Sequence, residues 1–195
     1  MIYEFNGFKP LIHKSAFIHP QAAVTGNVTI GKNCYIGPGA AVRGDWGEII
    51  IEDGGNVQEN CTIHMFPGVT VLLKKGTHMG HGSIVHGATI GKNCLIGMNA
   101  VIMDNVVLGD ECIVGALSFV KEGSNFSKRS LIAGSPATMI RKVSPEMIAW
   151  KTRGTEIYQQ LPADCFATLK PCEPLRRAMD RKITQPKTYK TWKES

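Results

Sequence analysis

Three histidines stand at a spacing that could serve a metal ion. His64 closes the run Thr62-Ile63-His64, and His81 and His86 lie in Gly80-His81-Gly82-Ser83-Ile84-Val85-His86-Gly87, each beside a glycine or a loop. Three imidazoles and a water form the ligand set of a catalytic zinc with an open position. Zinc held this way lowers the pKa of its water to about 7 and makes a hydroxide nucleophile. The same donors also suit iron or cobalt. His78 reads as a turn residue, and His13 and His19 as surface residues remote from the set.

The elements that position these side chains follow from one rhythm. An aliphatic residue returns every sixth position at Ile18, Val24, Ile30, Ile36 and Val42, again at Ile51, Val57 and Ile63, and then from Ile84 through Ile90, Ile96, Ile102, Leu108 and Val114 to Val120. A period of six fits neither a helix nor an alternating strand. It fits a parallel β-helix of hexapeptide repeats, in which each hexapeptide supplies a short strand and a turn and three complete a triangular coil. His64 and His86 are 22 residues apart, one coil of eighteen plus four. If the loop at 65–77 absorbs the four, the two side chains stack one coil apart. His81 lies almost one hexapeptide from His86 and faces another corner, so one subunit does not easily bring all three imidazoles to a point, and a threefold-related neighbour could supply the third.

The chain divides into 1–142, a β-helix domain, and 143–195, a C-terminal helical region with a basic tail. Residues 1–15 read as a lead-in and 16–123 as six coils. Two interruptions, Arg43 to Ile49 and Met65 to Thr77, are expected on one face, where repeat insertions carry sites. Leu131 to Arg141 reads as an extended exit segment. Ser144, Pro145 and Glu146 then form a helix start, Pro162 is expected to end or kink that helix, and a second short helix is expected near 163–170. The net charge of +6 is concentrated after residue 175. With no aromatic platform or reading helix there, nucleic acid is not expected as a partner; a solvated tail, or one packed on a neighbouring subunit, is. No run of about 18 apolar residues or secretory leader is visible, so a cytoplasmic location and no membrane partner are expected. The six cysteines contain no Cys-x-x-Cys pair and read as reduced thiols filling corners.

At these residues the chain resembles the γ-class carbonic anhydrase-like family. The matching pieces are Arg43-Gly44-Asp45, Asn56-Val57-Gln58-Glu59-Asn60, Thr62-Ile63-His64, the Gly80–Gly87 histidine run and Ile96-Gly97-Met98. Within it the chain is similar to the PaaY/CaiE group, through Ala149-Trp150-Lys151, Glu156-Ile157-Tyr158-Gln159 and Glu173-Pro174-Leu175-Arg176. The resemblance implies a left-handed parallel β-helix, a homotrimer, and zinc at each subunit interface, held by His64 and His86 of one subunit and His81 of the next. It implies that Arg43 and Asp45 form a charged link between subunits, and that Gln58 and Asn56 position the zinc-bound water or the substrate.

The chain departs from that pattern where protons are shuttled. Met65 to Thr77 holds no Asp or Glu but does hold Lys74 and Lys75, and Trp46 follows Asp45 where a glutamate is usual. A metal hydroxide without a relay regenerates slowly. The substrate is therefore expected to be either CO2 (with bicarbonate its product) or an acyl-CoA thioester. Lys74, Lys75 and the basic tail favour the thioester as phosphate contacts for coenzyme A. The alternatives are a CoA-dependent hexapeptide acyltransferase, and a non-catalytic trimer that scaffolds or activates pathway enzymes.

Overall fold

The computed structural model describes residues 1–176. The expectations for the basic tail after Arg176 fall outside the described residues. The chain winds as a parallel β-helix with three flat faces of seven strands each. The first face is built from Ile2–Tyr3, the starts of Ala23–Ile30 and Ala41–Ile51, then Thr62–His64, Ile84–His86, Val101–Ile102 and Phe119–Val120. The second carries Leu11–Ile12, the ends of Ala23–Ile30 and Ala41–Ile51, then Thr70–Leu73, Thr89–Ile90, Val107–Leu108 and Asn125–Phe126. The third stacks Phe17–Ile18, Tyr35–Ile36, Asn56–Val57, His78–Met79, Leu95–Ile96, Ile113–Val114 and Ser130–Gly134. Parallel register carries each inward residue onto the one below it, so Val24, Val42, Ile63, Val85, Ile102 and Val120 form one continuous column. All six are fully buried.

The β-helix differs from the sequence reading in four details. Residues 1–15 are not a lead-in: Ile2–Tyr3 and Leu11–Ile12 pair with Ala23–Ile30 and make the first rung. Ile84 does not point inward. It is 37% exposed and Val85 is 0% exposed, because the beat runs Leu73, Met79, Val85 and then slips by one at the His86-Gly87 corner before Ile90. The protruding loop is confined to 65–69, since Thr70–Leu73 returns as a strand. Leu131 to Arg141 does not simply exit: Ala137–Lys142 folds back antiparallel on Ser130–Gly134 and closes the open end of the sheet.

Corners require a left-handed backbone, which Asn tolerates better than other side chains. Asn33, Asn93, Asn99 and Asn105 all turn at φ of 52–57°. Helix α1, Pro145–Thr168, then packs on the third face. The Ser144 hydroxyl accepts a hydrogen bond from Met147 N at 3.3 Å and caps it. Pro162 neither ends the helix nor starts a new one, and the residues expected in a second helix are its last turns. Docking explains this. Phe166, four residues past the proline, meets Phe17 edge to face at 5.3 Å, so tertiary contact holds both sides in one helix.

Lys151 is the polar anchor of that docking. Its ammonium group is buried and donates to Gly76 O and Asn93 Oδ1, both at 2.6 Å. Burial lowers its pKa to about 7 from 10.5, with a smaller opposing effect from Cys94. Between those values the unfolded chain binds the extra proton, so folding stability rises with pH across that window. Lys151→Met should abolish this rise when denaturant midpoints at pH 7 and pH 10 are compared with wild type; an unchanged pH dependence would show that Lys151 keeps its proton in the fold.

Candidate functional site

Both interruptions of the repeat fall at the corner between the first and second faces. One, Arg43 to Glu48, lies within the long strand Ala41–Ile51; the other, 65–69, follows His64 directly. The same corner carries His64 and His86, which are register partners on neighbouring strands with ring centroids 5.3 Å apart. Trp46 from the first interruption packs 5.1 Å from His64, and Phe66 from the second sits edge-on to His86 at 5.0 Å. The pair is therefore walled by aromatic rings.

His81 is not with them. It occupies the corner between the third and first faces, in the turn 80–83. Within a single chain, and among the described residues, no three His, Cys, Asp or Glu side chains gather as a metal cage. Each histidine nevertheless has the same kind of partner. His64 Nε2 lies 2.9 Å from Asp45 Oδ1, His86 Nδ1 lies 2.7 Å from Asp104 Oδ1, and His81 Nδ1 lies 2.5 Å from Glu59 Oε2. A ring nitrogen that donates its proton to a carboxylate leaves the opposite nitrogen as an acceptor. Sequence spacing missed Glu59 and Asp104 as site residues. Asp104 lies eighteen residues beyond His86, one coil away, and that distance was the available signal.

A glycine makes the His86 contact possible: Gly87 turns at φ 58°, and a Cβ there would collide with Asp104 Oδ1. Gly82, beside His81, turns at φ 69°, and a Cβ there would collide with Asn99 Oδ1. Only glycine has both the backbone freedom and the space. Arg43 donates to Asp45 from Nε at 3.2 Å and from Nη2 at 2.9 Å, so Asp45 bridges Arg43 and His64 within one chain. Burial opposes the Asp45 carboxylate, but the hydrogen bonds from Arg43 and His64 outweigh it and hold its pKa below the usual value.

Asn56 and Gln58 sit with His81, not with His64 and His86. Gln58 Nε2 donates to Asn56 Oδ1 at 3.0 Å and lies 2.6 Å from His78 Nε2, which must then be the unprotonated acceptor. That geometry spends both amide protons and leaves Gln58 Oε1 as its remaining acceptor; Gln58 and His81 line the same cavity. His78 is thus no turn residue. It is a strand residue under α1, edge-on to Tyr158 at 5.0 Å. Burial, then the charges of Lys151 and His81, lower its pKa to about 3. Lys74 and Lys75 fall on a third corner, between Thr70–Leu73 and His78–Met79, where Lys75 N bonds Glu52. They are separated from both histidine corners.

A parallel β-helix of this build with a docked helix defines a hexapeptide-repeat protein. The bacterial transferase hexapeptide family (six repeats) matches residues 9–44 and 87–122. The carnitine operon protein CaiE of Escherichia coli O157:H7 is 43% identical over 175 residues, 90% of this chain and 89% of its own. The chain belongs to the hexapeptide-repeat family, in the CaiE group. A Bacillus cereus structure described as an acetyltransferase superposes with a TM-score of 0.84 at 34% identity, covering 86% of this chain and 97% of its own. A hexapeptide transferase family protein from Anaplasma phagocytophilum gives 0.81 at 30% identity, covering 84% and 97%. No helix among the described residues is long and apolar enough to cross a membrane.

The hydrogen bond from Gln58 requires the His78 ring to stay neutral with its proton on Nδ1. Ring-nitrogen NMR should show that single tautomer from pH 8 down to pH 4. Protonation above pH 5 would contradict the assignment.

Proposed function

We propose that the chain assembles as a homotrimer of the γ-carbonic anhydrase-like type, binds a divalent metal between subunits, and hydrolyses an acyl thioester. His64 and His86 of one subunit and His81 of the next would hold the ion. Three imidazoles favour zinc, with iron or cobalt also compatible. The observation that carries this reading is the matched set of carboxylates: Asp45, Glu59 and Asp104 each engage one nitrogen of one of these histidines. Orientation by a carboxylate is the usual support of a metal-bound imidazole. A metal held there supplies a water acidic enough to attack a carbonyl carbon near neutral pH.

The chain's own residues do the rest. Gln58, locked by Asn56 and His78, offers Oε1 as an acceptor that orients the attacking water. Trp46 and Phe66, both half-exposed, flank the His64–His86 pair with aromatic surface. Exposed Met98 and Leu117 lie on the same edge as His81, an apolar strip suited to a subunit contact. Arg43, half-exposed beside Asp45, is placed to extend that contact. Rapid CO2 hydration needs a titratable relay to solvent; Asp45, Glu59 and Asp104 are each engaged by a histidine, and neither Trp46 nor residues 65–77 supply a further acid. This favours the thioester over CO2. The CaiE relatives are named for an operon of carnitine, a quaternary ammonium compound, so the charge of the acyl group is the open question for this chain.

Acyl transfer is the second reading, favoured by the transferase descriptions of the two structural relatives. One sample decides between them. Metal per chain, mass in solution and thioester turnover should give about one zinc per chain in a trimer, with turnover stopped by chelation. His86→Ala should lose both metal and turnover. Chelator-resistant transfer of acetyl from acetyl-CoA to an amine would favour the transferase reading instead.

The carboxylates give a separate test. Asp104→Asn keeps the shape of the side chain and should weaken zinc binding about 10- to 100-fold, read by competition with a chromophoric chelator. Unchanged affinity would mean that Asp104 does not orient a ligand.

A further inference from the structure

The docked face of α1 has an open flank. Met147, Lys151, Thr155 and Pro162 are its buried residues, and Met147, Trp150, Lys151, Gly154, Ile157 and Tyr158 recur at three- and four-residue spacing along one side of that face. All six line a cavity of about 690 Å³ between α1 and the third face. This volume lies within the roughly 300–1,000 Å³ range of small-molecule sites. Gly154 stands in the middle of the stripe. Glycine inside a helix costs about 1 kcal/mol relative to alanine, and here it contributes only backbone to the cavity wall.

The groove has a direction. Gln58, His78 and His81 lie at one end, and Leu131 and Arg141 at the other. His78, Leu95, Ile113 and Leu131 follow each other rung by rung. Three steps at strand spacing make a length of about 14 Å. The helix runs the opposite way, with Tyr158 over His78 and Met147 beside Arg141, whose Nη2 lies 3.3 Å from Met147 Sδ. The floor between the ends is aliphatic.

The lining also has a charge preference. It contains no Asp or Glu, but it does contain Arg141 and Lys151. A cationic group would find no counter-charge. Trp150 and Tyr158 are eight residues apart, about 12 Å along the helix, too far apart to close on a quaternary ammonium as an aromatic cage.

We infer that this groove holds the acyl part of the substrate, and that this part is an uncharged apolar chain or ring. Its carbonyl lies at the Gln58–His81 end, and its tail runs beneath Gly154 toward Leu131. The inference takes its reacting end from the hydrolase reading above but is tested by binding alone.

The probes are non-hydrolysable thioether analogues of acyl-CoA, bearing a two-carbon group, an eight-carbon group, or a short group ending in trimethylammonium. Calorimetry on the metal-loaded protein should show the eight-carbon probe binding at least about tenfold tighter than either of the others, since each buried methylene contributes about 0.8 kcal/mol. Gly154→Leu adds a side chain to that wall while improving helix propensity. It should reduce the eight-carbon preference to within about threefold, with two-carbon affinity, metal content and melting temperature maintained. Equal affinity for the two- and eight-carbon probes, tighter binding of the trimethylammonium probe, or a preference that survives in Gly154→Leu would each overturn the inference. A preference present in a protein that hydrolyses no thioester would leave the groove standing and remove the hydrolase reading.

Discussion

Everything in this molecule depends on the vertical stacking of rungs. Parallel strands repeat at a spacing of about 4.8 Å, and inward aliphatic residues can fill the shaft only if each sits on the one beneath it. Val24, Val42, Ile63, Val85, Ile102 and Val120 obey that rule without exception. The same rule governs what faces outward. Once Ile63 and Val85 are in register, His64 and His86 must lie side by side, and the eighteen-residue coil delivers Asp104 to His86. The site is built by the core's register and needs no separate scaffold.

Departures from the repeat are tolerated where they leave the register intact. The insertions at Arg43 to Glu48 and at 65–69 both bulge from one corner while Ile49–Ile51 and Val71–Leu73 return to the column. Because they share a corner, Asp45, Trp46 and Phe66 converge on the histidines from separate parts of the chain. The result is a corner in which two neighbouring histidines are braced by carboxylates and flanked by aromatic rings.

The helix serves a second purpose on the opposite side. Its docking buries Lys151 and His78, two bases that burial drives toward their neutral forms. A neutral His78 with its proton on Nδ1 accepts from Gln58 Nε2, and this pairs a buried base under the helix with a residue that lines the groove.

The period of six, read from the sequence, was enough to establish the β-helix, the corner positions of His64, His81 and His86, and the separation of His81 from the other two. These are consequences of local spacing, and spacing is what a sequence records. The slip at Ile84 and Val85 was hidden because two adjacent aliphatic residues satisfy the pattern equally well. The continuity of α1 through Pro162 was hidden because the contact of Phe166 with Phe17 spans almost the whole chain. Glu59 and Asp104 behind their histidines, the lock of Asn56 and His78 on Gln58, and the open groove under Gly154 were decided only by the tertiary structure. Each depends on side chains from different rungs or from the helix meeting in space, and the distance between two such atoms is set by how coils stack and how the helix docks.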